Sequence, residues 1–247
     1  MWAAVFTSLL VAAAPAPETC QKNALFIFPA PGAVVPVNAR FLIEGVGTGR
    51  AAVKDLLASP ALLKSEQHTV PLVVRSTWNS SAGRTAVWLA PSSTLRADTE
   101  YRLVLPSSFA AVPADPAAPP LKWTTTGFSD TTAPLFRSPP GVSEGEYARD
   151  ESGHERRFLR VRVDLDEDGA AWALVTLTRA RIAAPPQVYP VPIVGNELRI
   201  GHDACSGGFW FEGAREYKIA FEVFDAAGNA SKKTPALFSK APSSSAQ

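Results

Sequence analysis

Short stretches in which apolar and polar residues alternate, separated by prolines and glycines, recur along the chain. In Phe158–Leu165 the odd-numbered positions are aliphatic and most even-numbered positions are charged. A period of two residues is that of an antiparallel strand with one buried face. The same reasoning predicts strands at Ala24–Phe28, Ala39–Glu44, Val70–Arg75, Thr85–Leu89, Tyr101–Leu105, Lys122–Thr125, Glu197–Ile200, Gly208–Phe211 and Tyr217–Phe224. Because 22 prolines would also interrupt long helices, the pattern predicts an all-β fold.

Three further segments need their own interpretation. Ala170–Leu177 is predicted to form a hairpin with Phe158–Leu165. Ala52–Glu66 has apolar residues at helical spacing, but Pro60 interrupts them, so a single helical turn or a loop is expected. Gly45–Arg50 is glycine-rich but lacks the spacing and the following lysine of a phosphate-binding loop. We expect it to be a flexible connection between strands.

Each half of the chain has a tyrosine that opens an alternating strand directly after a tight polar turn. Tyr101 follows the turn at Leu95–Glu100, and Tyr217 follows Gly213–Glu216. In β-sandwiches of the immunoglobulin and fibronectin type III kind, such a tyrosine packs its ring into the core and hydrogen-bonds its hydroxyl to upstream backbone. We therefore predict structural tyrosine corners at both positions.

The string Val35–Phe41, followed by the segment around Tyr101, resembles a bacterial Ig-like domain of surface-layer and other envelope proteins. This resemblance covers roughly residues 21–126. Asp130–Pro134 resembles the lead-in to another such repeat, and Asp225–Ser231 resembles the last hairpin turn of many extracellular Ig-like repeats. The resemblance implies a spacer or binding module without catalytic residues or a cofactor, which is an analogy at the level of the fold.

The expected fold class is therefore all-β, with two tandem immunoglobulin-like antiparallel β-sandwich domains after a signal peptide. A length of 247 residues suits two domains of ordinary size. The predicted layout is a signal peptide at 1–14, a first domain at 21–126, a linker at 127–134, a second domain at 135–240 and a disordered tail at 241–247.

The N-terminus predicts export. Ala3–Ala14 is an apolar run that is too short to span a bilayer but suits the hydrophobic region of a secretory signal peptide. No Lys or Arg precedes the run, and the alternative interpretation is a buried or disordered N-terminal strand. Because no other apolar run approaches about 18 residues, we expect no transmembrane segment in the mature form. The expected location is the periplasm, the cell surface or the extracellular space.

The two cysteines, Cys20 and Cys205, are predicted to form a disulfide. An oxidising compartment would favour pairing and close nearly the whole mature chain into one loop. In the chain-entropy model a loop of that size is worth about 4–5 kcal/mol. The alternative is two unrelated free thiols.

The charge balance excludes some classes of partner. The formal net charge is +1, from 24 basic and 23 acidic residues. Such a chain has no overall field to attract nucleic acid or an anionic membrane. We therefore expect no nucleic-acid partner.

One acidic segment resembles the start of a calcium loop. Asp164, Asp166 and Asp168 alternate and are followed by Gly169. Converging carboxylates on a turning backbone suit a hard cation. An EF-hand also needs a bidentate glutamate at its twelfth position, where this chain has Val175. The two interpretations that remain are a calcium turn between strands and a solvated acidic hairpin turn.

The His202–Ser206 region contains the residue types of a hydrolase. His202, Asp203, Cys205 and Ser206 could supply a base, an orienting acid and a nucleophile. Residues so close in sequence seldom have the required convergent geometry, and a zinc site would lack a fourth ligand. Loop residues beside a disulfide are the simpler interpretation.

Two tryptophans indicate a binding surface. Trp210 would point away from its neighbours Phe209 and Phe211 in a strand, and Trp78 lies in a polar stretch that suits a loop. Exposed tryptophans can stack on sugar rings or anchor a protein partner. Because large aromatic residues are heavily buried on average and a sandwich buries its own tryptophans, the favoured interpretation of each is nevertheless a core residue.

The sequence thus favours an exported, non-enzymatic Ig-like module for binding, adhesion or spacing in the cell envelope or outside the cell. The expected partner is an envelope protein or a glycan, and no cofactor is expected. Two alternatives stay open: a secreted hydrolase or metal-dependent enzyme that uses His202–Ser206, and an adhesin stiffened by calcium at Asp164, Asp166 and Asp168.

Overall fold

The structure, a computed structural model, describes residues 24–112, 119–151, 153–166, 171–203, 206–213 and 215–243. The predicted signal peptide and both cysteines of the predicted disulfide lie outside these residues, as do Asp168 and most of the predicted tail, so these predictions stay predictions. Among the described residues, no helix is long and apolar enough to cross a membrane.

The described chain is nearly all β-structure and forms two sandwich-like domains, which confirms the all-β fold class. The strands of the first domain are β1 (Ala24–Phe28), β2 (Val34–Val35), β3 (Phe41–Val46), β4 (Leu62–Lys64), β5 (Thr69–Asn79), β6 (Arg84–Pro91), β7 (Glu100–Val104) and β8 (Lys122–Thr125). Those of the second are β9 (Gly141–Arg149), β10 (Glu155–Arg162), β11 (Trp172–Arg179), β12 (Gln187–Val194), β13 (Glu197–His202), β14 (Glu216–Phe224) and β15 (Leu237–Lys240). Helix α1 (Gly49–Asp55) and a 3-10 helix at Ser107–Ala111 also belong to the first domain.

In the first domain, one long strand connects the two layers. The strand order is β1-β3-β6-β5-β4-β7-β8-β2, so β5 pairs with β6 on one side and with β4 on the other. Its register against β6 shifts between Val74 and Ser76. A bulge bends a strand and increases its twist, which allows β5 to pass from one layer to the other. The core between the layers contains Phe41, Ile43 and Trp123.

In the second domain, β12 connects the layers in the same way. The strand order is β15-β14-β11-β12-β13-β10-β9. Strand β12 pairs with β11 over Gln187–Pro192 but with β13 only at Ile193 and Val194. Among the described residues, no strand pairs with the other edge of β12 beside Pro190 and Pro192, so the missing N–H groups of these prolines remove few ladder bonds. The segment can therefore form a strand despite its two prolines, although the alternation pattern did not predict a strand here.

Two of the predicted strand arrangements are wrong. Strand β11 does not form a hairpin with β10, because β10 pairs with β9 and β13, whereas β11 pairs with β12 and β14. The acidic segment between β10 and β11 is therefore not the turn of a hairpin formed by these two strands. Gly208–Phe211 is not a strand but an extended loop, held at its start by a bridge between His202 and Gly207.

The two uncertain segments of the first domain have more structure than expected. Ala52–Glu66 contains the end of helix α1 and the short strand β4. Gly45–Arg50 is not a flexible connection, since it ends β3 and begins α1. A Cβ atom on Gly45 would lie 2.2 Å from the carbonyl oxygen of Gly49, so the glycine allows the helix to fold back against the strand.

Candidate functional site

A cluster of aromatic rings joins the two domains. Trp172, on β11 of the second domain, is buried and stacks on Phe224 of β14 at 4.5 Å between ring centroids. From the first domain, Trp78 on β5 and Trp88 on β6 meet the Trp172 ring edge-to-face at 5.9 and 5.6 Å. Rings in such contact bury large apolar areas. The attraction between the positive edge of one ring and the negative face of another stabilises the contact further. The cluster therefore fixes how one domain sits on the other.

The turn predicted at Asp225–Ser231 packs against the first domain beside this cluster. The backbone N–H of Arg40 donates to the carbonyl of Ala226 at 2.8 Å, and the Arg40 guanidinium lies over the Trp88 ring at 4.9 Å. Gly228 has φ +83°, and a Cβ atom there would come within 2.8 Å of the Trp88 ring. Both the turn and the close approach of the domains require glycine at this position.

The segment predicted as a linker is tied to both domains. The side chain of Asn38 donates to the carbonyl of Asp130 at 2.7 Å and accepts from its N–H at 3.0 Å. From the second domain, the side-chain amide of Asn229 donates to the same carbonyl at 3.2 Å. These bonds restrict the relative motion that separate domains otherwise have by default.

A groove of about 1160 Å³ opens at the domain junction. Its floor contains Glu44 of β3, Arg84 of β6 and Tyr189 of β12. The Arg84 guanidinium pairs with the Glu44 carboxylate at 2.7 Å, and Glu44 is only 6% exposed. Burial raises the pKa of Glu44, an effect that Arg84 partly offsets. Burial, followed by the nearby Glu44 charge, also raises the pKa of Tyr189.

The walls of this groove carry charges that compensate one another. Among the residues that the structure describes, five arginines and five carboxylates line it. Glu146 alone pairs with Arg156 at 2.6 Å and with Arg199 at 3.0 Å, and lies 3.8 Å from Arg160. A surface without a net charge has no long-range attraction for an anionic polymer. The groove thus gives local polar contacts rather than an electrostatic field.

Sequence reasoning did not find Glu44, Arg84 or Tyr189 as site residues. They lie on three different strands of two domains, and none belongs to a motif. Only the charge of Glu44 among the hydrophobic residues of β3 marked that position as unusual, since an unpaired buried carboxylate is costly.

The residues of the hydrolase alternative do not form a dyad in the described structure. His202, at the end of β13, is buried, and burial lowers its pKa. Its Nδ1 atom lies 3.1 Å from the carbonyl oxygen of Asp203, and one Asp203 carboxylate oxygen accepts the backbone N–H of Ser206 at 2.8 Å. The Ser206 hydroxyl has no hydrogen bond to His202. A nucleophile and its base need such a contact. Cys205 lies outside the described residues.

The aspartates of the calcium alternative hold the chain that enters the second domain. One carboxylate oxygen of Asp166 accepts the backbone N–H of Leu135 at 2.8 Å, and the Ser138 hydroxyl lies 3.4 Å from an oxygen of Asp164. Within the described ranges no group of three potential metal ligands occurs. Because Asp168 is not among these residues, calcium binding stays a prediction.

Both predicted corner tyrosines are buried and use their hydroxyl groups. The Tyr101 hydroxyl accepts the backbone N–H of Arg96 at 3.0 Å, and the Tyr217 hydroxyl accepts that of Glu212 at 2.9 Å. In each case the donor lies five residues upstream. The bond fastens the loop before the strand to the core of its own domain.

We expect Tyr101→Phe and Tyr217→Phe each to lower the free energy of unfolding by about 1–2 kcal/mol, because a partly buried backbone donor loses its partner. Urea denaturation of the full chain measures this difference. Tyr147→Phe is the matched control, since the Tyr147 hydroxyl bonds only to Glu155 in a half-buried position. Equal effects at all three positions would contradict a special role of the corners.

The structure half-buries Trp78, in line with the favoured core interpretation, but leaves Trp210 exposed, which that interpretation did not expect. Trp78 lies on β5, half-buried against Trp172, because the second domain covers this part of the strand. Trp210 is 49% exposed. Tertiary contacts between domains, which no local pattern reports, account for the difference.

Comparisons with known proteins do not identify a family. No protein-family model matches the chain, and no curated protein sequence matches it significantly. Similar solved structures include pullulanase type I from Bacillus subtilis, complexed with maltose, at 10% identity over 85% of this chain and 24% of that one (TM-score 0.25). Others are the Mycobacterium tuberculosis L,D-transpeptidase 1, at 14% identity over 69% and 73% (TM-score 0.27), and the N-terminal part of the bacterial S-layer protein SbsC, at 11% over 79% and 40% (TM-score 0.23). The chain thus spans about a quarter of the pullulanase, and at these TM-scores none of the three assigns a function.

Proposed function

We propose that the chain is an exported, non-enzymatic pair of Ig-like β-sandwich domains that binds a protein or glycan of the cell envelope or the extracellular space. The observation that carries this proposal is the aromatic cluster between the domains, which consists of Trp78, Trp88, Trp172 and Phe224. A flexible spacer does not need such a cluster, whereas a binding surface built from two domains requires that the domains keep one relative orientation.

Further features support the Ig-like and exported parts of the proposal. The hydroxyl bonds of Tyr101 and Tyr217 have the arrangement that immunoglobulin-type sandwiches use at this corner. The apolar run at residues 3–14 suits secretion, and export would give Cys20 and Cys205 the oxidising environment in which a disulfide persists.

Export and binding are tested with the full chain carrying a C-terminal tag. We expect to find the protein outside the cytoplasm. Its intact mass should correspond to the chain without the signal peptide, and a thiol assay should detect no free cysteine. The purified mature protein should then sediment with isolated bacterial envelopes. Trp88→Ala, which loosens the domain junction, should reduce sedimentation, and Phe238→Ala, on an exposed residue of β15, should not. Retention in the cytoplasm or failure to sediment would overturn the proposal.

A further inference from the structure

The exposed Trp210 is held rigidly although it lies in a loop. Its ring stacks on His202 at 4.0 Å with an interplanar angle of 13°. Its neighbours Phe209 and Phe211 are both buried in the second domain. Since His202 covers one face of the indole and the side chain is 49% exposed, the face that solvent reaches is the opposite one.

The backbone of Trp210 is fixed by one side chain. Its N–H donates to Oε1 of Gln187 at 2.8 Å, and its carbonyl accepts from Nε2 of Gln187 at 2.9 Å. The Ser81 hydroxyl, from the first domain, donates to the same Oε1 atom at 2.7 Å. The Gln187 amide thus replaces the two ladder bonds that a neighbouring strand would make, and both domains contribute to the position of the tryptophan.

A rigid, exposed indole has a cost and a use. Leaving an apolar ring face in water forfeits the free energy of burial. A partner that covers this face recovers that free energy, and because the ring and backbone are already ordered, little conformational entropy is lost on binding. The arrangement is that of a preorganised anchor.

The indole lines a second groove, of about 530 Å³, on the same junction. This volume lies within the range of about 300–1,000 Å³ for sites that bind small molecules. The groove also contains an ion pair between Arg179 and Glu212, together with Ser81, Gln187 and Pro185. The two charges cancel, so the groove has polar groups that can hydrogen-bond a ligand but no net charge.

We infer that this second groove binds a pyranose ring of a neutral glycan, with one face of the sugar on Trp210. A pyranose presents a face of C–H groups, which are attracted to the negative face of an indole, and a rim of hydroxyl groups that carboxylate and guanidinium side chains can hydrogen-bond. A phosphate-bearing ligand would leave its charge uncompensated beside Glu212. A proline-rich peptide needs a groove lined by several aromatic side chains, and Trp210 is the one exposed ring among the described residues that line this groove.

This inference rests on the proposed function and names the ligand class for one of its two grooves. Its test is an array of neutral malto-, cello- and chito-oligosaccharides, followed by calorimetric titration of the best binder. We expect Trp210→Ala to weaken binding at least about 30-fold and Trp210→Phe, which keeps a ring, to weaken it less than about tenfold. Phe128→Ala, on an exposed ring outside the groove, is the matched control and should change nothing. Near-ultraviolet circular dichroism checks that each variant is folded.

The other outcomes separate this inference from the proposed function. No binding of the wild-type protein to any neutral glycan at millimolar concentration, or binding that Trp210→Ala leaves unchanged, would overturn the glycan site. Binding of a proline-rich peptide or an anionic glycan through Trp210 would also overturn it. If wild-type protein and Trp210→Ala both sediment equally with envelopes, the proposed function stands without this site. If the wild-type protein neither sediments nor binds the array, both fall.

Discussion

Replacing Trp172 with alanine should lower the free energy of unfolding by about 3–5 kcal/mol. The side chain is 1% exposed and contacts Phe224 of its own domain and Trp78 and Trp88 of the other. Its removal leaves a cavity that two β-layers cannot collapse to fill, because strands paired on both sides move little. The half-buried rings of Trp78 and Trp88 would also become accessible to water.

The variant should also uncouple the two domains. We expect the wild-type chain to unfold in one transition and Trp172→Ala to unfold in two, because the ring contacts that couple the unfolding of the two domains are lost. Guanidinium denaturation followed by both tryptophan fluorescence and far-ultraviolet circular dichroism measures this. Phe128→Ala, on a ring that is 65% exposed, is the control and should change the free energy by no more than about 0.5 kcal/mol. A change in Trp172→Ala as small as that of the control would show that the rings do not hold the domains together.

Replacing Arg84 with methionine should cost about 3–5 kcal/mol at neutral pH, since it leaves the Glu44 carboxylate buried without its partner. The cost should depend on pH. Burial already raises the pKa of Glu44 above its ordinary value of 4.5, and loss of Arg84 raises it further. At pH values between the Glu44 pKa in the unfolded chain and its raised pKa in the native variant, the native state binds more protons than the unfolded state. The free energy of unfolding therefore falls as the pH rises through this window. Relative to the wild-type protein, Arg84→Met should therefore lose less free energy of unfolding at about pH 4, where Glu44 is mostly protonated, than at about pH 7.

A double variant isolates this pair. Adding Glu44→Gln to Arg84→Met removes the unpaired charge and should restore most of the loss at neutral pH, because no buried charge then remains. Urea denaturation at both pH values measures the cycle. Lys122→Met is the matched control: its ion pair with Glu100 has a similar distance of 2.9 Å but is exposed, so we expect less than about 1 kcal/mol. A pH-independent cost for Arg84→Met would mean that lost packing, rather than the Glu44 charge, determines the effect.

Local alternation predicted most strands of the first domain but fewer of the second. Tyr101, the turn before it and the strand after it are all contiguous in sequence, so their pattern is visible there. Strand β12 was not predicted, because its prolines are tolerated only on the open edge that the tertiary structure provides. Strand β9 was also not predicted, since it is an edge strand with mostly exposed residues and few apolar positions.

The candidate sites were harder to predict than the strands. Trp210 stood out because its two neighbours are phenylalanines, but nothing local indicated that Gln187 would hold its backbone. The groove residues Glu44, Arg84 and Tyr189 come together only through the packing of both domains.

By itself, the sequence determined the all-β class, because a two-residue period of apolar side chains can bury one face only as a strand, and prolines at short intervals prevent long helices. It also placed the two corner tyrosines, since a turn and the strand it opens lie next to each other in the chain. The tertiary structure alone decided which strands pair, that the domains are sealed by tryptophans, and where the two grooves open. These features depend on contacts between residues far apart in sequence, and their free energy comes from burial that no local pattern records.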